Sequence, residues 1–277
     1  MTDSIPCAPI GVFDSGLGGL TVLAALRRAM PEQDFLYLGD NANAPYGMRS
    51  PDEVMALTRA AVERLFAREC ALVLIACNTA SALALRRLQR DWLPDAAPDR
   101  RILGVFVPLI EAVSGHGWRE AGQSDRALNV AFFATPATVA SGAFSREARR
   151  LAPGLRVTEQ GCPGLVEALE AGSDPVSVVR RAVAEALTLG PPDVALLGCT
   201  HYPLAAAAFR AALPPGTPIL SQPDIVARSL AAYLDRHPRF AGGTGRLDCL
   251  TTGDPVRVGA RAGALSGEAT GYGFCAA

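Results

Sequence analysis

Leu74-Ile75-Ala76-Cys77-Asn78-Thr79 and Leu196-Leu197-Gly198-Cys199-Thr200-His201 are the two stretches on which the fold of this chain turns. Each is a short, continuously apolar run that ends in a cysteine and then in polar residues. Such runs suit strands buried on both faces of a parallel sheet, with the cysteine just past the carboxyl end. The second cysteine follows the first by 122 residues. Another pair, Ile10-Gly-Val-Phe-Asp-Ser and Val130-Ala-Phe-Phe-Ala-Thr, recurs at the nearly equal offset of 120. Two echoes in step imply two similar halves.

The pattern extends outward from these stretches. Apolar runs at 10–13, 35–38, 72–76, 102–107, 130–133, 155–158, 194–197, 218–220 and 247–250 read as strands. Amphipathic stretches at 79–92, 139–151, 175–189, 204–213 and 225–236 read as helices between them. Ser50-Pro51-Asp52-Glu53 is a capping box with proline at the first helical position, opening a helix to about residue 69. Strand alternating with helix predicts an α/β fold of two similar parallel-sheet domains related by a pseudo-twofold, with the active site in the cleft between them. The first domain is expected to comprise residues 1–103 plus 217–277, and the second 104–216. In open parallel sheets, sites form beyond the carboxyl ends of the strands. Asp14-Ser15, Cys77-Asn78-Thr79, Thr135 and Cys199-Thr200-His201 all fall there. If the halves face each other, Cys77 and Cys199 sit on opposite walls of one cleft.

Composition narrows the chemistry. The 277 residues are 49% apolar and 19% charged, so the chain can build a core. A net charge of −1 argues against nucleic acid as the main partner. All 26 basic residues are arginine. With no lysine, the chain cannot form a Schiff base with pyridoxal phosphate or build a phosphate-binding P-loop. The seven cysteines are odd in number and widely spaced, and none forms a CxxC pair. There is no basic-then-apolar leader and no run long enough to span a bilayer, so free thiols in the cytoplasm are expected.

A cysteine after a strand is often only a small buried hydrophobe. Here Asn78, Thr79, Thr200 and His201 surround both cysteines with hydrogen-bonding groups. A free thiol titrates near 8.5, so modest tuning makes it an acid or a base near neutrality. Two such groups on opposite faces of a flat intermediate are what inversion at a carbon centre needs. Zinc on Cys77, Cys199 and His201 is the alternative, but that spacing is a weak ligand pattern. Gly16-Leu17-Gly18-Gly19 is not a dinucleotide fingerprint, because Thr21 stands where its last glycine belongs. It fits a strand-to-helix turn whose amides approach a small anion.

Five motifs now line up: Asp14-Ser-Gly-Leu-Gly-Gly-Leu-Thr, Gly39-Asp-Asn with Pro45-Tyr46-Gly47, Ala76-Cys-Asn-Thr-Ala, Gly198-Cys-Thr-His-Tyr-Pro-Leu and Thr252-Gly-Asp. In this order they resemble the motifs of bacterial glutamate racemases, of the aspartate/glutamate racemase superfamily, across almost the whole chain. The resemblance implies cofactor-independent interconversion of L- and D-glutamate, supplying D-glutamate for peptidoglycan. It implies Cys77 acting on the D-enantiomer with help from Asp14, and Cys199 on the L-enantiomer with help from His201. Asp14, Ser15, Tyr46, Gly47, Asn78, Thr79, Thr200 and His201 match the family's substrate-binding positions. Thr135 and Thr138 match its second-half threonines, and Glu170 falls where the family carries a carboxylate near the site.

The resemblance also implies a homodimer with glutamate as its small-molecule partner and no metal. Some members are reported to bind DNA gyrase, a role for which this sequence carries no feature. Val107 stands where the family has a glutamate, and Cys162-Pro-Gly-Leu-Val-Glu departs from the common form. The first strand begins near residue 10, so activation by a muramoyl-alanine precursor is not expected. Residues 239–245 and the tail after 258 read as weakly structured. The competing substrates are aspartate and hydantoins. A single-cysteine decarboxylase is disfavoured by the second cysteine.

Overall fold

The computed structural model describes residues 8–115, 127–266 and 272–277. Cys7 and the N-terminal stretch lie outside the described residues. The chain runs β1 (Ile10–Asp14), α1 (Gly19–Ala29), β2 (Phe35–Gly39), α2 (Pro51–Ala67), β3 (Leu72–Ile75), α3 (Asn78–Ala80), α4 (Leu93–Ala96), β4 (Arg101–Gly104) and α5 (Phe106–Ser114). It continues through β5 (Leu128–Ala134), α6 (Pro136–Ser141), α7 (Ala143–Leu151), β6 (Leu155–Gly161), α8 (Leu165–Glu170), α9 (Val176–Leu187), β7 (Val194–Gly198) and α10 (Ala206–Ala212). It ends with β8 (Ile219–Ser221), α11 (Gln222–Arg236), β9 (Leu247–Thr251), α12 (Pro255–Ser266) and β10 (Phe274–Ala276).

All strand pairings are parallel and form two sheets, one ordered β10-β9-β2-β1-β3-β4 and the other β6-β5-β7-β8. Every residue of β1, β2, β3 and β7 is buried, which is why these strands read as unbroken apolar runs. One continuous core joins the inner faces of both sheets through Val12, Leu23, Leu109, Phe132 and Leu230. Phe106 meets Phe132 and Phe144 edge-on at 89° and 85°, and those two rings stack 3.9 Å apart. On the outer faces, Val54, Val62 and Leu65 of α2 cover the first sheet, and Val179, Val183 and Phe209 cover the second.

Most departures from the sequence reading have local causes. The apolar run at 102–107 splits: β4 stops at Gly104 and Phe106 opens α5, a helix with no polar face to mark it. The helix expected at 139–151 breaks at Gly142, whose φ of +58° lets α6 turn into α7. The helix expected at 79–92 begins at Asn78 and passes through π-helical turns at Ser81–Leu85 and Leu88–Trp92. The capping box at Ser50 forms, with Glu53 N–H donating to Ser50 Oγ at 3.3 Å and Ser50 N–H donating to Glu53 Oε2 at 3.0 Å.

The tail contains α12 and then β10, an added edge strand paired with β9. Residues 239–245 are pinned, because Thr244 and Arg246 N–H groups both donate to Asp34 Oδ1 and Phe240 is buried. Ile219–Ser221 pairs with β7, so β8 is an edge strand of the second sheet.

Gly198 closes β7 directly beneath the Phe132 ring, where an added Cβ would overlap the ring carbons. Gly198→Ala should therefore cost about 1–3 kcal/mol of stability from overpacking. Urea unfolding checks this; an unchanged midpoint would contradict the packing described.

Candidate active site

The loops leaving β1, β3, β5 and β7 meet in one narrow cleft. Ser15, Tyr46, Gly47, Cys77, Asn78, Thr79, Thr135, Glu170, Cys199, Thr200 and His201 line it. Asp14 and Thr138 lie behind these lining residues, both fully buried.

Cys77 follows β3 and caps the short helix α3, its sulfur accepting from Ala80 N–H at 3.4 Å. Its thiol donates to Ser15 Oγ, also at 3.4 Å. Burial, and then the negative charge of Asp14, push this thiol up to about 12, so at neutral pH it holds its proton. Asp14 ends β1 and is itself raised by burial, against the opposing pull of His201, two backbone N–H groups and Thr200. Its carboxylate accepts from Gly16 N–H at 3.0 Å and from Thr200 Oγ1 at 3.3 Å. Asp14 therefore acts on Cys77 through charge, while its hydrogen bonds tie the first sheet to the second.

Opposite stands Cys199, past the end of β7 and 5% exposed. His201, two residues on, sets its Nε2 3.0 Å from Glu170 Oε1. Burial alone would lower the imidazole. The neighbouring Cys199, the Glu170 hydrogen bond and the charge of Asp14 outweigh it and raise His201 to about 10. Glu170 is correspondingly held below the usual carboxylate range, first by His201 and also by Arg261.

Glycine makes the approach of the two walls possible. A Cβ on Gly18 would sit 2.5 Å from His201 Nδ1, nearer than atoms can come. Thr21 Oγ1, one turn into α1, donates to the Thr200 carbonyl at 3.0 Å across the same contact.

Polar groups for a ligand surround the thiols. Thr79, Thr135 and Thr138 form a triangle of hydroxyls, with sides of 3.0, 2.9 and 3.4 Å. Asn78 accepts from Gln222 Nε2, which leaves Asn78 Nδ2 buried and unpaired beside the cleft. Tyr46 donates to Asp40 Oδ2 at 2.6 Å, and burial together with that bond raises its phenol far above the usual value.

The motif Thr252-Gly-Asp explains itself here, because Thr252 Oγ1 donates to Asp40 Oδ1 at 2.6 Å and so fixes the loop carrying Tyr46. Sequence reasoning missed Gln222, Asp40, Cys162 and Arg261 as neighbours of the site. Asp40, as part of Gly39-Asp-Asn, and Cys162, as the start of Cys162-Pro-Gly-Leu-Val-Glu, carried a signal. The arrangement can deliver and remove protons from two sides, and it can hold a carboxylate on uncharged donors.

No family model matches the chain. A glutamate racemase from Paracoccus denitrificans is 51% identical over 258 residues, spanning 91% of this chain and 94% of that protein. One from Cereibacter sphaeroides is equally similar, at 51% over the same shares. Among solved structures, glutamate racemase from Thermus thermophilus in complex with β-chloro-D-alanine is 34% identical, with a TM-score of 0.80 over 99% of this chain and 98% of that one. Isoform RacE1 from Bacillus anthracis reaches a TM-score of 0.83 at 27% identity over 98% of this chain and 97% of that one.

The raised imidazole has a pH consequence. The bound value of about 10 exceeds the ordinary 6.5, so the stability contributed by the His201 proton is full below 6.5 and is lost as pH rises through about 10. Imidazole NMR should find His201 doubly protonated through neutral pH with a midpoint near 10, and Glu170→Gln should lower that midpoint. A midpoint in the ordinary range would contradict the network.

Proposed function

The chain belongs to the glutamate racemase family, an enzyme family interconverting L- and D-glutamate, and we propose that it does so by proton transfer between Cys77 and Cys199 across the substrate's α-carbon. The observation that carries this reading is the pair of thiols, one from each sheet, lining a single cleft. Acting as the base, Cys199 takes the α-proton of L-glutamate, with the His201 imidazole beside it. The electron pair left on carbon spreads into the α-carboxylate. Cys77, a thiol at neutral pH, gives its proton to the opposite face and is left as thiolate. The reverse direction uses the same groups with roles exchanged, and no electron is gained or lost.

Stabilising that carbanion requires donors aimed at the α-carboxylate. Asn78 Nδ2 is buried without a partner, and the Ser15, Thr79 and Thr200 hydroxyls are adjacent. Such fixed donors in a water-poor site are worth far more than in water. Thr135, backed by Thr138, together with Tyr46 and Gly47 holds the substrate's other end. Asp14 keeps Cys77 protonated and positions Thr200, and Glu170 orients His201. The two units would comprise the first sheet with its tail beyond 221, and the segment from α5 to β8. Homodimerisation and a supply of D-glutamate to peptidoglycan follow from the family resemblance.

In heavy water, L-glutamate given to the purified protein should lose optical rotation to zero while gaining α-deuterium, without added cofactor. Cys77→Ser and Cys199→Ser should each lower turnover by about 10²–10⁴-fold. Inversion without deuterium uptake, or either variant turning over normally, would overturn the two-thiol reading.

A further inference from the structure

Arg261 lies on α12, in the tail beyond the five motifs, yet its Nη2 reaches Glu170 Oε2 on α8 at 3.1 Å. The other oxygen of that carboxylate holds His201 Nε2 at 3.0 Å. The helix α12 packs on α1, β9 and β10 of the first sheet, whereas α8 follows β6 of the second. Glu170 thus has one oxygen on the second sheet's imidazole and the other on a cation delivered from the first. It also comes close to the turn after β1, since a Cβ on Gly16 would lie 3.7 Å from Glu170 Oε1.

We propose that Arg261 is a positioning residue for the Cys199 face: reaching Glu170 from the first sheet, it holds in place the carboxylate that orients His201. The proposal rests on the two-thiol reading above. The charged and titratable groups facing Glu170 are His201 from the loop after β7 and Arg261 from α12. His201 in turn faces Cys199 and, from β1, Asp14. Glu167, on α8 itself, lines the same cleft. Without Arg261 the carboxylate loses one of its two cations, so it protonates at higher pH and releases His201 sooner as pH falls. The proton transfer at Cys199 should feel this most, because Cys77 is bonded to Ser15 and Ala80 and meets His201 only by way of Asp14.

Because enantiomers have equal free energy, kcat/KM must be the same in both directions for every variant, so the two faces are separated by isotope effects. Arg261→Gln should lower kcat/KM about three- to tenfold, in keeping with a partly exposed ion pair. Its acid limb should move to higher pH. The α-deuterium effect on kcat/KM for L-glutamate should rise relative to that for D-glutamate, and Arg261→Lys should restore the wild-type pattern. A fall in activity with the pH profile and isotope ratio unchanged would mean a structural role only and would overturn the proposal, as would no change at all. Failure of the two-thiol reading would register separately, as wild-type inversion without deuterium uptake.

Discussion

Where Gly18 backs onto Thr200 and His201 there is no room for a single methyl group, and the cleft follows from that contact. It brings the turn after β1 against the turn after β7, and the Thr21-to-Thr200 and Thr200-to-Asp14 hydrogen bonds fasten the approach. Because both turns sit at carboxyl ends of parallel strands, closing them together brings Cys77 and Cys199 into one cavity. Behind the cleft the two sheets share one core, in which Val12, Leu23 and Leu230 join Leu109 and Phe132. Arg86 and Arg150 both bind Glu147 of α7, giving a further tie between the π-helical turn after β3 and the second sheet's helices.

Burial then tunes the chemistry. Taking a carboxylate, an imidazole and two thiols out of water is costly unless each has a partner, and here the partners differ by wall. Cys77 has neutral donors and a nearby negative charge, so it keeps its proton. Cys199 has as its neighbour an imidazole that keeps its proton through neutral pH, backed by a carboxylate. The two thiols therefore meet different charges, which is what the proposed acid and base roles ask of them. Neither wall needs a lysine, which this chain lacks throughout.

Much of this was legible in the sequence because strands buried on both faces announce themselves as apolar runs, and the residues after them are the ones a parallel sheet exposes. The repeat of Leu-Ile-Ala-Cys in Leu-Leu-Gly-Cys, in step with that of Ile-Gly-Val-Phe in Val-Ala-Phe-Phe, predicts paired halves. What remained hidden had specific causes. The helix α5 has only Glu111 and Ser114 as polar residues, so its period is faint, and it merged with β4. Gly142 interrupts an otherwise continuous helical pattern through a backbone angle that sequence spacing does not register. The tail looked unstructured because glycine and alanine dominate it, yet α12 carries an arginine to the cleft. Gln222 was invisible for a related reason: its partner Asn78 is 144 residues away, and only folding reveals the pair.

The central claim is geometric: two sulfurs on opposite faces of one carbon. A crystal structure with D-glutamate bound tests it most directly. The account predicts the α-carbon between Cys77 Sγ and Cys199 Sγ, one on each face at roughly 3–3.5 Å, with the α-carboxylate on Asn78 Nδ2. A ligand with both sulfurs on the same face, or seated outside this cleft, would contradict it.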